Sequence, residues 1–233
     1  MKKELNAKRR LGRTDFQVTV IGLGGHTYPV GNTSDSFCTY EERAKLIQYL
    51  IDSGVNYFDT TWIDEVELLA NSFRRANIND DTLVSLQYVD GISDANWRHK
   101  LRKELETRLN IMNYTNAPLF LMGIGNANVP YSEIISACEA MAKLKEENLI
   151  KNIGISCHQI GLYQLISKAI RETDLIDYMM IRFNWKYQMD VEFDIDDFAG
   201  FKNRLWDERE IRNISQYAES ETIRQHARNL IKA

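Results

Sequence analysis

The order of its apolar patterns constrains this chain more than any other feature: short β-branched runs alternate with helical-period segments six times before residue 186. Residues 18–23 form the first run and end in Gly22, Gly24 and Gly25, as a buried strand does when it feeds a loop needing close backbone approach. Residues 41–53 carry Ala44, Ile47, Leu50 and Ile51 at helical spacing, with Gly54 as the stop. Strands follow at 55–59, 82–89, 118–122, 153–156 and 178–185, separated by helices at 66–76, 97–112, 132–147 and 161–172. Strands that return through helices pair in parallel, so the class is α/β. A closed eight-stranded barrel takes about 250 residues, so 233 residues imply a barrel that is incomplete or rebuilt after its sixth strand. On periodicity alone a doubly wound open sheet remains the alternative.

Three prolines and no Gly/Ser-rich linker give no flexible internal boundary, so residues 1–233 read as one domain, with 186–233 a divergent C-terminal segment. Between Asp190 and Asp197 acidic residues interrupt the apolar pattern and the strand signal ends. A formal net charge of −4 argues against a general nucleic-acid binder, and Lys2, Lys3, Lys8, Arg9, Arg10 and Arg13 read as a solvated basic arm. Cys38, Cys138 and Cys157 lack close pairing and no secretory segment precedes them, which fits a reducing cytoplasmic setting. No apolar run approaches the roughly 20 residues that span a bilayer, so no membrane role is expected.

Four ordered segments carry a resemblance. Residues 10–25, Arg10-Leu-Gly-Arg-Thr-Asp-Phe-Gln-Val-Thr-Val-Ile-Gly-Leu-Gly-Gly25, resemble the opening of aldo/keto reductases, where a hairpin plugs the barrel bottom. Asp52-Ser-Gly-Val-Asn-Tyr-Phe-Asp-Thr-Thr61 is similar to that family's Gly-x-Asn-x-Phe-Asp-Thr-Ala box. Residues 143–156 are similar to its Leu-Lys-x-x-Gly-Lys-Ile-Arg-x-Ile-Gly-x-Ser box, and Phe183-Asn184 to its Tyr-Asn pair. The recognisable barrel is thus 10–185, and the resemblance implies a TIM-type (β/α) barrel with chemistry at the C-terminal strand ends.

The family's carbonyl reduction needs a tyrosine proton donor tuned by lysine, aspartate and histidine. Asp59 matches the aspartate; Asp64 or a neighbour falls near the tyrosine position, Gln87 at the lysine and Gly123 at the histidine. Tyr88 is a candidate displaced donor, but a phenol with no ammonium beside it, near pKa ~10, is a poor acid at neutral pH. Ser156 and Asn184 match carboxamide-binding positions of the nicotinamide site, whereas Cys157 and Met180 replace its usual Asn and Gln. The later pyrophosphate and adenosine-phosphate motifs have no counterpart after Trp185. The expectation is therefore that no cofactor is bound, with NADP as the alternative.

His26, Asp59, Trp62, Asp64, Gln87, Tyr88, His158, Arg182 and Asn184 are the residues expected around a shared pocket, with Asp59, Asp64, Tyr88, His26 and His158 as acid/base candidates. Trp62, Gln87, Arg182 and Asn184 would bind substrate. An inward Arg182 needs an anion, either Asp59 or an anionic ligand. Each has a plainer reading: structural ion pair for Arg182, surface histidines, a loop plug for Trp62, and helix N-terminal carboxylates for Asp64, Glu65 and Glu67. Cys157 is a nucleophile or a packing thiol, His99 and His226 are solvated, and no compact metal-ligand motif occurs.

The leading expectation is a small-molecule-binding enzyme on a reductase scaffold that has lost NADPH-dependent carbonyl reduction and does non-redox acid/base chemistry: elimination, cyclisation or isomerisation. The alternatives are a non-catalytic barrel covered by a partner chain or a second copy, and a residual NADP-dependent oxidoreductase.

Overall fold

The computed structural model describes residues 7–25, 39–76, 78, 82–89, 91–92, 96–124, 129–157 and 162–181. A hairpin of β1 (Lys8–Arg10) and β2 (Gln17–Thr19) comes first. The order is then α1 (Tyr40–Asp52), β3 (Tyr57–Asp59), α2 (Ile63–Ala76), β4 (Leu83–Tyr88), α3 (Trp97–Met112), β5 (Leu119–Ile124), α4 (Tyr131–Glu146), β6 (Ile153–Cys157), α5 (Tyr163–Glu172) and β7 (Tyr178–Ile181). Strands β3 to β7 form one parallel sheet in sequence order, and Leu23 adds a parallel bridge to Phe58. This is an α/β half-barrel of the TIM type, as the alternation of patterns predicts.

Local chemistry sets the element ends. Thr39 caps α1 through a reciprocal box: the Glu42 amide donates to Thr39 Oγ1 (3.2 Å), and the Thr39 amide donates to Glu42 Oε2 (2.8 Å). Gly54, at φ +88°, turns the chain from α1 toward β3, and Asn113, at φ +58°, ends α3.

Alternation along the strands divides the side chains between two layers. Phe58, Val84, Leu86, Phe120, Met122, Ile153 and Ile155 point outward and join Leu69, Leu105, Met141 and Ile166 of the helices in the main core. Phe58 meets Phe73 of α2 edge to face, with centroids 5.4 Å apart. The opposite side chains line the lumen, where Leu119, Leu121 and Tyr178 pack with Tyr57, Leu83 and Met180.

Two expectations change at the N-terminus. Residues 18–23 are not one strand: 17–19 belong to the hairpin, and the barrel position is held by Leu23 alone. From Ala7 onward the basic segment is also no free arm. Leu11 and Phe16 pack against the lumen cluster, while the Arg13 amide donates to Asp177 O (2.7 Å) and its guanidinium to Ile170 O (2.9 Å). Gly12 makes this docking possible, because at φ +52° a Cβ there would stand 2.3 Å from Asp177 O. The hairpin thus closes the lumen floor. Among the described residues, no helix is long and apolar enough to cross a membrane.

Candidate active site at the strand ends

Asp59 ends β3 on the lumen face, half-buried, opposite Ser85 of β4 in register. Gln87 lies two residues beyond Ser85 on the same face and is 6% exposed. Gly123, at the end of β5, stands opposite Ser156 of β6, which in turn stands opposite Met180 of β7. These positions form the wall around Asp59. Where the resemblance places a lysine and a histidine, the wall has a neutral amide and a glycine. A Cβ on Gly123 would come within 2.9 Å of Gln87 Nε2 and 2.8 Å of Tyr88 O, so Gln87 occupies the space that a side chain on β5 would need.

The loop after Asp59 is held on three sides. The Thr60 amide and hydroxyl donate to Ser85 O (3.0 and 2.9 Å), tying the loop to β4. Glu65, 3% exposed, accepts at Oε2 from the amides of Thr61 (2.6 Å) and Trp62 (3.4 Å). Arg108 of α3, 1% exposed, donates to Thr61 O (3.2 Å) and to the Glu104 carboxylate. Gly25 leaves room for this arrangement, because a Cβ there would fall 2.1 Å from Glu65 Oε2. Trp62 stands out from the loop, 51% exposed.

Asp59, Gln87 and Ser156 are therefore brought to the lumen, and Trp62 to the loop beside it. Tyr88 is not: with Gln87 facing inward, alternation turns Tyr88 outward into the helix-facing core, 0% exposed, away from the wall that it was expected to join. Cys157 likewise lies in that core and reads as a packing thiol. Asp64 is exposed in the first turn of α2, where its Oδ1 accepts from the Glu65 amide (3.0 Å). The expected acidic cluster thus divides, with Asp64 and Glu67 solvated and Glu65 serving the loop. His99 is exposed on α3. His26, His158, Arg182, Asn184 and His226 lie outside the described residues, as does the segment from 186 onward. No group of metal-ligating side chains occurs among the described residues.

Three lumen residues were missed by sequence reasoning: Tyr57, Ser85 and Tyr178. Burial and the Asp59 carboxylate push the Tyr57 phenol well above its usual range, and burial, Tyr57 and Asp59 do the same to Tyr178. Both phenols stay protonated and are weak acids. The signal lay in spacing, since Tyr57 is two residues before Asp59 and Ser85 two before Gln87. Arg108 left no such signal, being one charged residue among several on a helix.

Ser156 is buried at a carboxamide position, but Met180 brings no amide to the next strand, and no cation for a pyrophosphate lines the lumen among the described residues.

A sequence model of the aldo/keto reductase family matches residues 20–197. No curated protein matches the chain. Among solved structures, the holo form of an aldo-keto reductase from Bacillus halodurans superposes with a TM-score of 0.58 at 17% identity, over 76% of this chain and 58% of that one. An aldo-keto reductase assignment from Pseudomonas aeruginosa gives 0.63 at 21% identity, over 92% and 76%. The glycerol dehydrogenase of Gluconobacter oxydans gives 0.60 at 14%, over 83% and 60%. The chain thus spans less than two thirds of the Bacillus and Gluconobacter enzymes. At such identities these superpositions speak to fold, and it is the match over residues 20–197 that places this chain in the aldo/keto reductase family.

Proposed function

We propose that this family member binds a small molecule at the strand ends and moves a proton with Asp59, as in elimination, cyclisation or isomerisation, rather than reducing a carbonyl with NADPH. One observation carries this reading: Asp59 keeps its lumen position, while the β4 residue facing the same lumen is Gln87. A carboxylate can take a proton from carbon next to a carbonyl without help from lysine. A phenol that must protonate a developing alkoxide needs its pKa lowered, and the lumen phenols Tyr57 and Tyr178 are pushed the other way. Gln87 would then hold the substrate oxygen by its amide, with Trp62 as an apolar wall beside it.

The test is exchange. Small ketones and aldehydes incubated with the protein in D2O should take up deuterium at the α-carbon, read by NMR, and Asp59→Asn should abolish the uptake while circular dichroism stays unchanged. Uptake that survives Asp59→Asn would remove Asp59 from the reaction. Family membership itself favours a second reading, a nicotinamide-dependent reductase. Saturable quenching of NADPH fluorescence together with aldehyde-dependent NADPH consumption would establish it in place of the first. Residues 1–233 are taken as one domain in both readings; His26, His158, Arg182 and Asn184 remain proposed contributors, and a covering partner chain or second copy is not required.

A further inference from the structure

The backbone between Asp59 and α2 is held by more than a helix cap, and the side chain it carries outward is an indole. A turn from strand to helix needs one cap for the first helical amides, which a serine, threonine or aspartate supplies. Here two buried side chains, one basic and one acidic, grip a single peptide group from its two ends. Arg108, reaching over from α3, donates to Thr61 O (3.2 Å), and Glu65 Oε2 accepts the Trp62 amide (3.4 Å). The same oxygen takes the Thr61 amide (2.6 Å), the Trp62 carbonyl accepts from the Val66 amide (3.2 Å), and Glu104 holds Arg108 in turn. Both polar groups of the Trp62 backbone are thus engaged.

Trp62 itself is 51% exposed. It stands three residues beyond Asp59, past the strand end. Glu65 and the Asp59 backbone close on the same point, because a Cβ on Gly25 would fall on Glu65 Oε2 and 3.0 Å from Asp59 O. The indole is therefore anchored beside the carboxylate rather than far along the loop.

A side chain on a loose loop loses freedom when a ligand meets it; one whose backbone is already fixed loses less, so its exposure is preorganised for contact. The flat face of an indole gains most from another flat face, since offset stacking adds to what buried area contributes, while a puckered ring of the same size gains only the area. We propose that Glu65 and Arg108 are positioning residues that present Trp62 as a stacking face for a planar, conjugated part of the ligand. This rests on the reading of the strand ends as the ligand site and adds a substrate class to it: aryl or otherwise conjugated carbonyl compounds in preference to saturated ones.

Acetophenone and cyclohexyl methyl ketone share a methyl ketone and nearly the same size, but only the first is flat. Calorimetric titration of the full chain should give acetophenone about tenfold the affinity of its saturated counterpart. Trp62→Leu, at an exposed position, should bring the two affinities within about twofold of each other. Glu65→Ala should do the same, whereas Glu65→Gln, which keeps an oxygen acceptor for both amides, should retain the preference. Arg108→Lys, which keeps the charge but cannot reach Thr61 O and Glu104 together, is the second positioning variant and should also narrow the ratio. A role in stability alone would lower both affinities together and leave their ratio unchanged. Equal affinities in the unaltered chain, saturable binding of neither ketone, or a preference that persists in Trp62→Leu or in a folded Glu65→Ala would overturn the proposal. Titration reads binding without reaction, so absence of deuterium uptake would remove the proton transfer and leave the stacking face, and equal affinities would do the reverse.

Discussion

At the scale of single residues, the lumen is governed by what stands beside Asp59. Glycine at 123 leaves room for Gln87, so Gly123→His should clash with the Tyr88 carbonyl and the Gln87 amide and cost about 1–3 kcal/mol, measured by urea denaturation. The two buried phenols set a second expectation. Their folded pKa values lie above the usual value near 10, so folding holds their protons more tightly than the unfolded chain does. Their contribution is complete below about pH 10 and is lost as pH rises from there toward the folded pKa. Thermal melts should therefore fall above about pH 10, and Tyr178→Phe should flatten that fall; a melt curve of the same slope in the variant would contradict the burial of this phenol. Asp59 was legible in the sequence because it sits in an eight-residue box. Tyr57 and Ser85 were not, because a polar residue inside a strand reveals its face only once one neighbour's face is known.

At the scale of elements, the loop between β3 and α2 is held by side chains from two helices, with Glu65 accepting two of its amides and Arg108 binding its carbonyl at Thr61. Glu65→Ala leaves those amides without their acceptor and should cost about 1–3 kcal/mol. It should also raise acrylamide quenching of Trp62 in a variant whose other tryptophans are replaced by phenylalanine. Unchanged quenching would mean that the loop keeps its form without Glu65. The hairpin is a second such element. Gly12→Ala brings a Cβ against Asp177 O at a positive φ and should loosen the floor, seen as faster amide hydrogen exchange in 8–19. Helices were the most legible elements, since their apolar stripes repeat over several turns, and 97–112 coincides with α3. The first strand was least legible: its β-branched run continues from the hairpin into the barrel, and only pairing divides the two.

At the scale of the molecule, the helix-facing core shields its thiols from reagents. Cys138 lies in that core, 0% exposed, and burial with the nearby Glu139 charge pushes its thiol up to about 12. With Cys38 replaced by serine, disulfide reagents at pH 8 should label the chain only as fast as it unfolds; rapid labelling in native buffer would mean that this core opens locally. By itself the sequence determined the α/β class, the parallel order of strands and the family, because hydrophobic period and short boxes are local properties that the chain carries wherever it goes. Only tertiary structure decided which polar residues share the lumen: strand register and the direction of each pleat turned Tyr88 and Cys157 outward and Tyr57, Ser85 and Tyr178 inward. A side chain's face depends on how its strand is paired, and pairing joins residues far apart in the chain.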